Sequence, residues 1–119
     1  MNERKYDLEE RLIDFVLKVD EVIEKLPKTR MATHITGQLI RCSTSPALNN
    51  GEAQAAESQR DFIHKMQIIL KELRETKVCL MIINRKKYLK ENDVFPALKE
   101  NEELLAIFAK SVKTAKSKL

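Results

Sequence analysis

Imidazole, thiol and carboxylate groups carry most enzyme chemistry, and this sequence offers few of them in useful patterns. Its histidines are His34 and His64 and its cysteines are Cys42 and Cys79. Asp61-Phe62-Ile63-His64 sets a carboxylate three residues before an imidazole, a spacing that puts both on one helical face and that di-iron bundles use to hold metal. Those sites need the pair on two helices and inward glutamates from two more. Here the pair occurs once, and His34 has no carboxylate at the same offset, so a capping or surface histidine is the expected reading. The cysteines form no Cys-x-x-Cys, have no histidine at ligand spacing and sit among apolar neighbours, which predicts buried reduced thiols rather than a disulfide or a metal pair. There is no glycine-rich phosphate loop, no His-Glu-x-x-His and no Gly-x-Ser-x-Gly, and no nucleophile is paired with a histidine base. The sequence predicts no catalytic site, no metal and no cofactor.

Two other patterns invite a functional reading. Gln38, Arg41, Ser45, Asn49 and Glu52 fall three or four apart and so share one face of a helix. Serine and asparagine inside a helix cost roughly half a kcal/mol each. A hydrogen-bond network, buried or at an interface, would compensate them and give this line a structural role; a solvated face is the alternative.

The second pattern is charge. The chain carries a formal net charge of +4, unevenly spread: residues 1–26 hold five basic and eight acidic side chains. Lys77, Arg85, Lys86, Lys87 and Lys90 form a block without acids, and Lys110, Lys113, Lys116 and Lys118 stand in a stretch, 104–119, that has none either. Clustered lysines attract phosphates by displacing counterions and need not read bases. Arg85, Lys86, Lys87, Lys90, Lys110 and Lys113 are therefore candidate contacts to RNA or DNA, with solubility and helix-dipole pairing as the alternative.

These residues need helices to position them. Glycine is confined to positions 37 and 51 and proline to 27, 46 and 96, while about a third of the chain is charged, a balance that favours helix over strand. Leu8, Leu12, Phe15, Val16, Val19, Val22, Ile23 and Leu26 recur three and four apart, which predicts a first helix ended by Pro27. A second stripe runs through Met31, Ile35, Leu39 and Cys42 to Pro46. A proline inside a helix costs about 3 kcal/mol, so the helix either breaks near Ser45 or continues with a kink, and the absence of loop-forming residues before Gly51 favours the kink. Ser58 with Asp61 three residues on reads as the cap of a third and longest helix, with Phe62, Met66, Ile69, Leu70, Leu73, Thr76, Leu80 and Ile83 inward. Turn residues are expected from 86 to 96, before a last helix carrying Leu98, Leu104, Leu105, Phe108 and Val112. If the third and fourth helices are antiparallel, the two basic zones lie at opposite ends.

Between Val78 and Ile83 the third helix is apolar almost all round. A helix in a four-helix bundle keeps one wet face, so Val78, Leu80, Met81 and Ile82 are a candidate oligomer interface; shielding by a loop or by the last helix is the alternative. At 119 residues the chain suits one domain spanning 1–119, with enough core to fold without metal or disulfides. Unpaired cysteines, the lack of a signal-like start and the lack of a long apolar run lead to an expected cytoplasmic location with no membrane partner.

The run 38–53, QLIRCSTSPALNNGEA, followed by Ser58, Asp61-Phe62 and Lys71-Glu72-Leu73-Arg74-Glu75, resembles the bacterial four-helix bundle family labelled S23 ribosomal protein or 23S rRNA intervening-sequence protein. The likeness begins at Tyr6-Asp7-Leu8 and includes the Leu-Pro-Lys that closes the first helix. It implies an all-α, antiparallel up-down-up-down bundle that assembles as a homopentameric ring. Some members are encoded inside insertions in 23S rRNA genes, and related accessory proteins of diversity-generating retroelements are basic pentamers that bind nucleic acid and a reverse transcriptase. The resemblance thus implies a non-enzymatic oligomer that contacts RNA or DNA through a basic ring surface, or else a module that docks a protein partner.

Overall fold

Apolar spacing of three and four, interrupted by three short connections, gives four helices in a computed structural model that describes residues 2–119, with side chains from Leu8 onward: α1 Asn2–Glu24, α2 Arg30–Gln54, α3 Gln59–Lys86 and α4 Glu91–Ser117. The side chains of Tyr6 and Asp7, at which the family likeness begins, lie outside the described ones. Each helix touches the next in sequence, and α1 closes the square against α4. Cross-helix pairs run in opposite senses. Arg11 meets Glu100 while Lys25 meets Asp93, Arg41 meets Glu75 while Glu52 meets Lys65, and Gln59 reaches the carbonyl of Ala115 while Asn101 reaches that of Leu73. Neighbouring helices are therefore antiparallel. No helix among the described residues is long and apolar enough to cross a membrane.

Local chemistry sets the helix ends. Thr29 Oγ1 accepts from the Ala32 N–H at 3.2 Å, and Ser58 Oγ accepts from the Asp61 N–H at 3.1 Å, so the predicted cap of α3 forms with an acid in the positive first turn. α3 ends at Lys87, which takes a left-handed φ of 57°, an unusual conformation for a residue with a Cβ. α4 then starts earlier than the sequence suggested. Glu91 and Asp93, read as turn residues, form its acidic first turn, and Pro96 lies inside the helix instead of ahead of it. The carbonyl four residues earlier belongs to Asn92, an exposed residue, so water can replace the missing N–H there.

α2 passes through Pro46 as one helix. Thr44 Oγ1 donates to the carbonyls of Ile40 at 2.7 Å and Arg41 at 3.2 Å, and Asn49 Nδ2 donates to the carbonyl of Ser45 at 3.0 Å, so side chains supplement the backbone ladder on both sides of the proline.

The core combines Leu12, Phe15, Val19 and Val22 of α1, Ile35, Leu39 and Cys42 of α2, Met66, Ile69, Leu73, Leu80 and Ile83 of α3, and Leu104 and Phe108 of α4. Met31, expected in the α2 stripe, is exposed, and Ala32 takes the inward place. Asn101 is fully buried: its Nδ2 donates to the Leu73 carbonyl at 3.1 Å, and its Oδ1 has no protein partner. Urea denaturation should therefore separate two kinds of core change. Phe108→Ala, which opens a cavity, should cost about 3–5 kcal/mol. Asn101→Leu, which removes a half-satisfied amide at similar volume, should cost less than about 1 kcal/mol or stabilise.

Candidate nucleic-acid interface

Which cations are available to a ligand depends first on which are already paired. Arg11 bonds Glu100 at 2.8 and 3.0 Å and Glu103 at 3.1 Å, Lys25 bonds Asp93 at 3.2 Å, Arg41 bonds Glu72 and Glu75, Lys65 bonds Glu52 at 2.7 Å, and Lys77 bonds Glu102 at 2.6 Å. All but the Lys25 pair, which ties the turn after α1 to α4, join different helices. Those bonds hold the Arg11 and Lys65 charges more firmly, raising both pKa values, with the hydrogen bonds to Glu100 and Glu52 respectively the largest causes.

None of the six predicted contacts, Arg85, Lys86, Lys87, Lys90, Lys110 and Lys113, forms an ion pair with a described residue, and all six are exposed. The α1–α2 and α3–α4 connections emerge at the same end of an antiparallel bundle. Lys28 and Arg30, exposed and likewise without an ion pair among the described residues, therefore join Arg85, Lys86, Lys87 and Lys90 there. The sequence reading missed these two, because nothing along the chain relates residue 30 to residue 85. The acids at this end are Glu24, Glu91 and Asp93, the last held by Lys25, so positive charge dominates. Two aromatic rings lie among the cations: Lys86 Nζ sits 5.5 Å from the Tyr88 ring centroid, and Phe95, in the first turns of α4, is 57% exposed.

The opposite end divides its lysines between two clefts. Lys113 and Lys116 of α4 face Arg74 and Gln67 of α3 across a groove of about 490 Å³ floored by Leu70 and Val112. Lys110 and Lys118 line a larger cleft, about 820 Å³, with Arg11 of α1 and Gln59 and Phe62 of α3. Lys110 and Lys113, grouped by sequence, thus serve different surfaces. The larger cleft is amphipathic, since Leu8, Phe62 and Ile107 form its apolar wall.

A family model described as 23S rRNA-intervening sequence protein matches residues 4–110. The chain belongs to that family. A solved structure from Bacteroides thetaiotaomicron, described as a protein with unknown function from the S23 ribosomal protein family, is similar with a TM-score of 0.82 at 24% identity, covering 92% of this chain and 97% of its own. At that identity the likeness concerns the fold. No curated protein matches the sequence.

In this member of the 23S rRNA-intervening sequence family the polar line of α2 is three local arrangements instead of one network. Arg41 is the centre of the first: its guanidinium donates to Glu72 at 2.9 and 3.1 Å, to Glu75 at 2.7 Å and to Gln38 at 3.1 Å. Ser45 and Asn49 bond each other at 2.9 Å, and Glu52 reaches Lys65. Glu72, which sequence reasoning did not single out, is the buried member, with 7% of its side chain exposed. Its acid-bearing stretch, 71–75, was visible, but burial depends on α2 lying beside it.

The candidate oligomer segment needs one correction. Leu80 belongs to the core, with 0% exposure, so it is not an interface residue; two residues from both Val78 and Ile82, it lies about half a turn from the wet face. Val78 at 55% and Ile82 at 39% do face outward, and Met81 is half-buried between them and the core. The histidines, His34 and His64, are both exposed, and no group of three metal-binding side chains occurs among the described residues.

The Arg41 cluster yields a stability prediction. Arg41→Ala leaves the Glu72 carboxylate buried without its cation, whereas Glu75→Gln removes only a partly exposed pair member. Glu75→Gln should cost no more than about 1 kcal/mol in urea denaturation. Arg41→Ala should cost clearly more, and Arg41→Ala with Glu72→Leu should recover most of the loss, because the stranded charge is then gone.

Proposed function

We propose that this protein is a non-enzymatic oligomer that binds the sugar-phosphate backbone of RNA or DNA, with its principal contact surface at the end bearing Lys28, Arg30, Arg85, Lys86, Lys87 and Lys90. One observation carries the reading: cations from two distant connections converge on that end without ion pairs among the described residues, and the acids there are few, with Asp93 already held by Lys25. Lysine and arginine clustered in this way release counterions from a polyanion and bind with little regard to sequence. Phe95 and Tyr88 suit unpaired bases, since stacking on an aromatic ring adds roughly 1–3 kcal/mol per base.

Fluorescence anisotropy with labelled single-stranded RNA at about 50 mM salt tests this. Binding should weaken steeply as salt rises, and Lys86→Glu with Lys87→Glu should both weaken it and flatten the log–log salt dependence by about one unit for each phosphate no longer neutralised. Phe95→Ala should weaken single strands more than duplexes. No binding at low salt by the purified oligomer would end the reading.

The oligomer itself is supported by uncovered apolar surface. Gly37, Ile40, Thr44, Leu48 and Gly51 fall on one face of α2 that carries no charge, with Ile40 53% and Leu48 68% exposed. A Cβ at either glycine would meet nothing within 4 Å, so this chain's own packing does not require glycine there. Each costs about 1 kcal/mol relative to alanine in a helix, a cost that close approach by another chain would explain. With Val78 and Ile82 of α3, this face is the candidate surface between copies in a ring, the pentamer being the expected form. Ile40→Glu and Val78→Glu should each reduce the mass seen by light scattering while leaving far-UV circular dichroism unchanged; a wild-type monomer at micromolar concentration would remove the assembly. Docking of a protein partner in place of nucleic acid is the second reading, favoured by the same apolar face, and it requires partner capture that survives Lys110→Glu with Lys113→Glu.

A further inference from the structure

Two outward faces of the bundle carry the same pattern with opposite charge. On α1, Glu10, Ile13, Leu17, Glu21 and Glu24 follow one another at steps of three, four, four and three, so they form one stripe, and Asp20 adjoins it. On α3, Lys71, Arg74, Val78, Ile82 and Arg85 follow at the same steps. Each stripe has two large apolar side chains in its middle, and all four are exposed: Ile13 at 43% and Leu17 at 56%, Val78 at 55% and Ile82 at 39%. Acids flank the first pair at both ends, and bases flank the second pair at both ends. These charged side chains are exposed, and none forms an ion pair with a described residue. The stripes cannot cover one another within a chain, because α1 and α3 stand at opposite corners of the square, each touching α2 and α4 but not the other.

We propose that the α1 stripe of one copy docks on the α3 stripe of the next, joining copies head to tail. The inference rests on the assembly proposed above and names the two surfaces that make it. Charge selects the pairing. Two α1 stripes face to face would set carboxylates against carboxylates, and two α3 stripes would set cations against cations, so contacts between identical faces are disfavoured. One stripe of each kind brings opposite charges together at both ends of the contact, while Ile13 and Leu17 leave water against Val78 and Ile82. A contact between two different faces on opposite sides of a subunit is heterologous, and a row of such contacts ends only when it closes into a ring. Arg85 closes the α3 stripe and is shared with the basic end; Lys28, Arg30, Lys87 and Lys90 lie outside it.

The heterologous contact makes a prediction that no self-paired contact shares. Leu17→Glu disables only the α1 stripe and Val78→Glu only the α3 stripe, and both side chains are more than half exposed, so the core is left alone. In light scattering at a concentration where the wild type assembles, each variant by itself should be a monomer with unchanged far-UV circular dichroism. An equimolar mixture should form a two-chain species and nothing larger, because one intact α1 stripe and one intact α3 stripe remain. Arg74→Glu with Arg85→Glu, one reversal at each end of the α3 stripe, should also give a monomer, and adding Glu10→Arg with Glu21→Arg to the same chain should recover the assembly. Leu17→Glu that keeps the wild-type mass, a mixture that stays monomeric, or either variant dimerising by itself would each overturn the pairing. A wild type that is itself monomeric would instead remove the assembly on which the pairing rests, so the two failures are told apart by the wild-type mass.

Discussion

A carboxylate inside a helical bundle has to be met by a cation from another helix, and Glu72 is met by Arg41. Its charge cannot be left alone in a low-dielectric interior, so α2 is held where its guanidinium reaches α3. One residue further on, the Leu73 carbonyl receives the buried Asn101 amide from α4. The middle of α3 is thus joined to both neighbours by polar bonds at adjacent residues. The positions of the grooves along α3 follow from that placement.

The same requirement partitions the charge of the molecule. Several acids along the helices find cations on the adjacent helix, as Glu100 and Glu103 find Arg11 and as Glu102 finds Lys77. Connections lie beyond those cross-helix rows, so Lys28, Arg30, Lys86, Lys87 and Lys90 have few acids within reach. A modest overall charge of +4 is consequently concentrated. The electrostatic field relevant to a polyanion is set by this local excess, because charges separated by more than a Debye length, about 8 Å at physiological ionic strength, act almost independently.

Helical periodicity revealed the fold because it is a property of one strip of chain. The stripes through Leu12 to Val22 and Met66 to Leu73 and the Ser58 cap were all legible, as was the continuity of α2 through Pro46. What depended on a second helix was not. The stripe of α3 put Leu80 inward, but the all-apolar run around it also read as an interface, and only the packing of α2 and α4 separates buried Leu80 from exposed Val78 and Ile82. The line from Gln38 to Glu52 looked like one network, but its partners on α3 divide it. Pro96 misled for a local reason: a proline near a helix start resembles a turn signal, and the early acids Glu91 and Asp93 fit either reading.

In the proposed assembly the basic end and the uncharged face of α2 would bear on each other. If the proposed reading holds, six cations on one small subunit would make a contact whose strength falls steeply with salt, so a lone copy would hold nucleic acid weakly at physiological ionic strength. Joining copies turns every contact after the first into an intramolecular event, and affinity then grows without any new kind of interaction. That gain requires the surfaces to be distinct. Ile40, Leu48, Gly37 and Gly51 lie along the flank of α2, whereas Lys28, Arg30 and the 85–90 block occupy one end of the bundle. In a ring built through the flanks the basic ends would point the same way, because rotation about a single axis carries every end to the same side. The proposed assembly would therefore present one continuous positive rim, and the shape of its binding surface would be set by the apolar contacts that never touch the ligand.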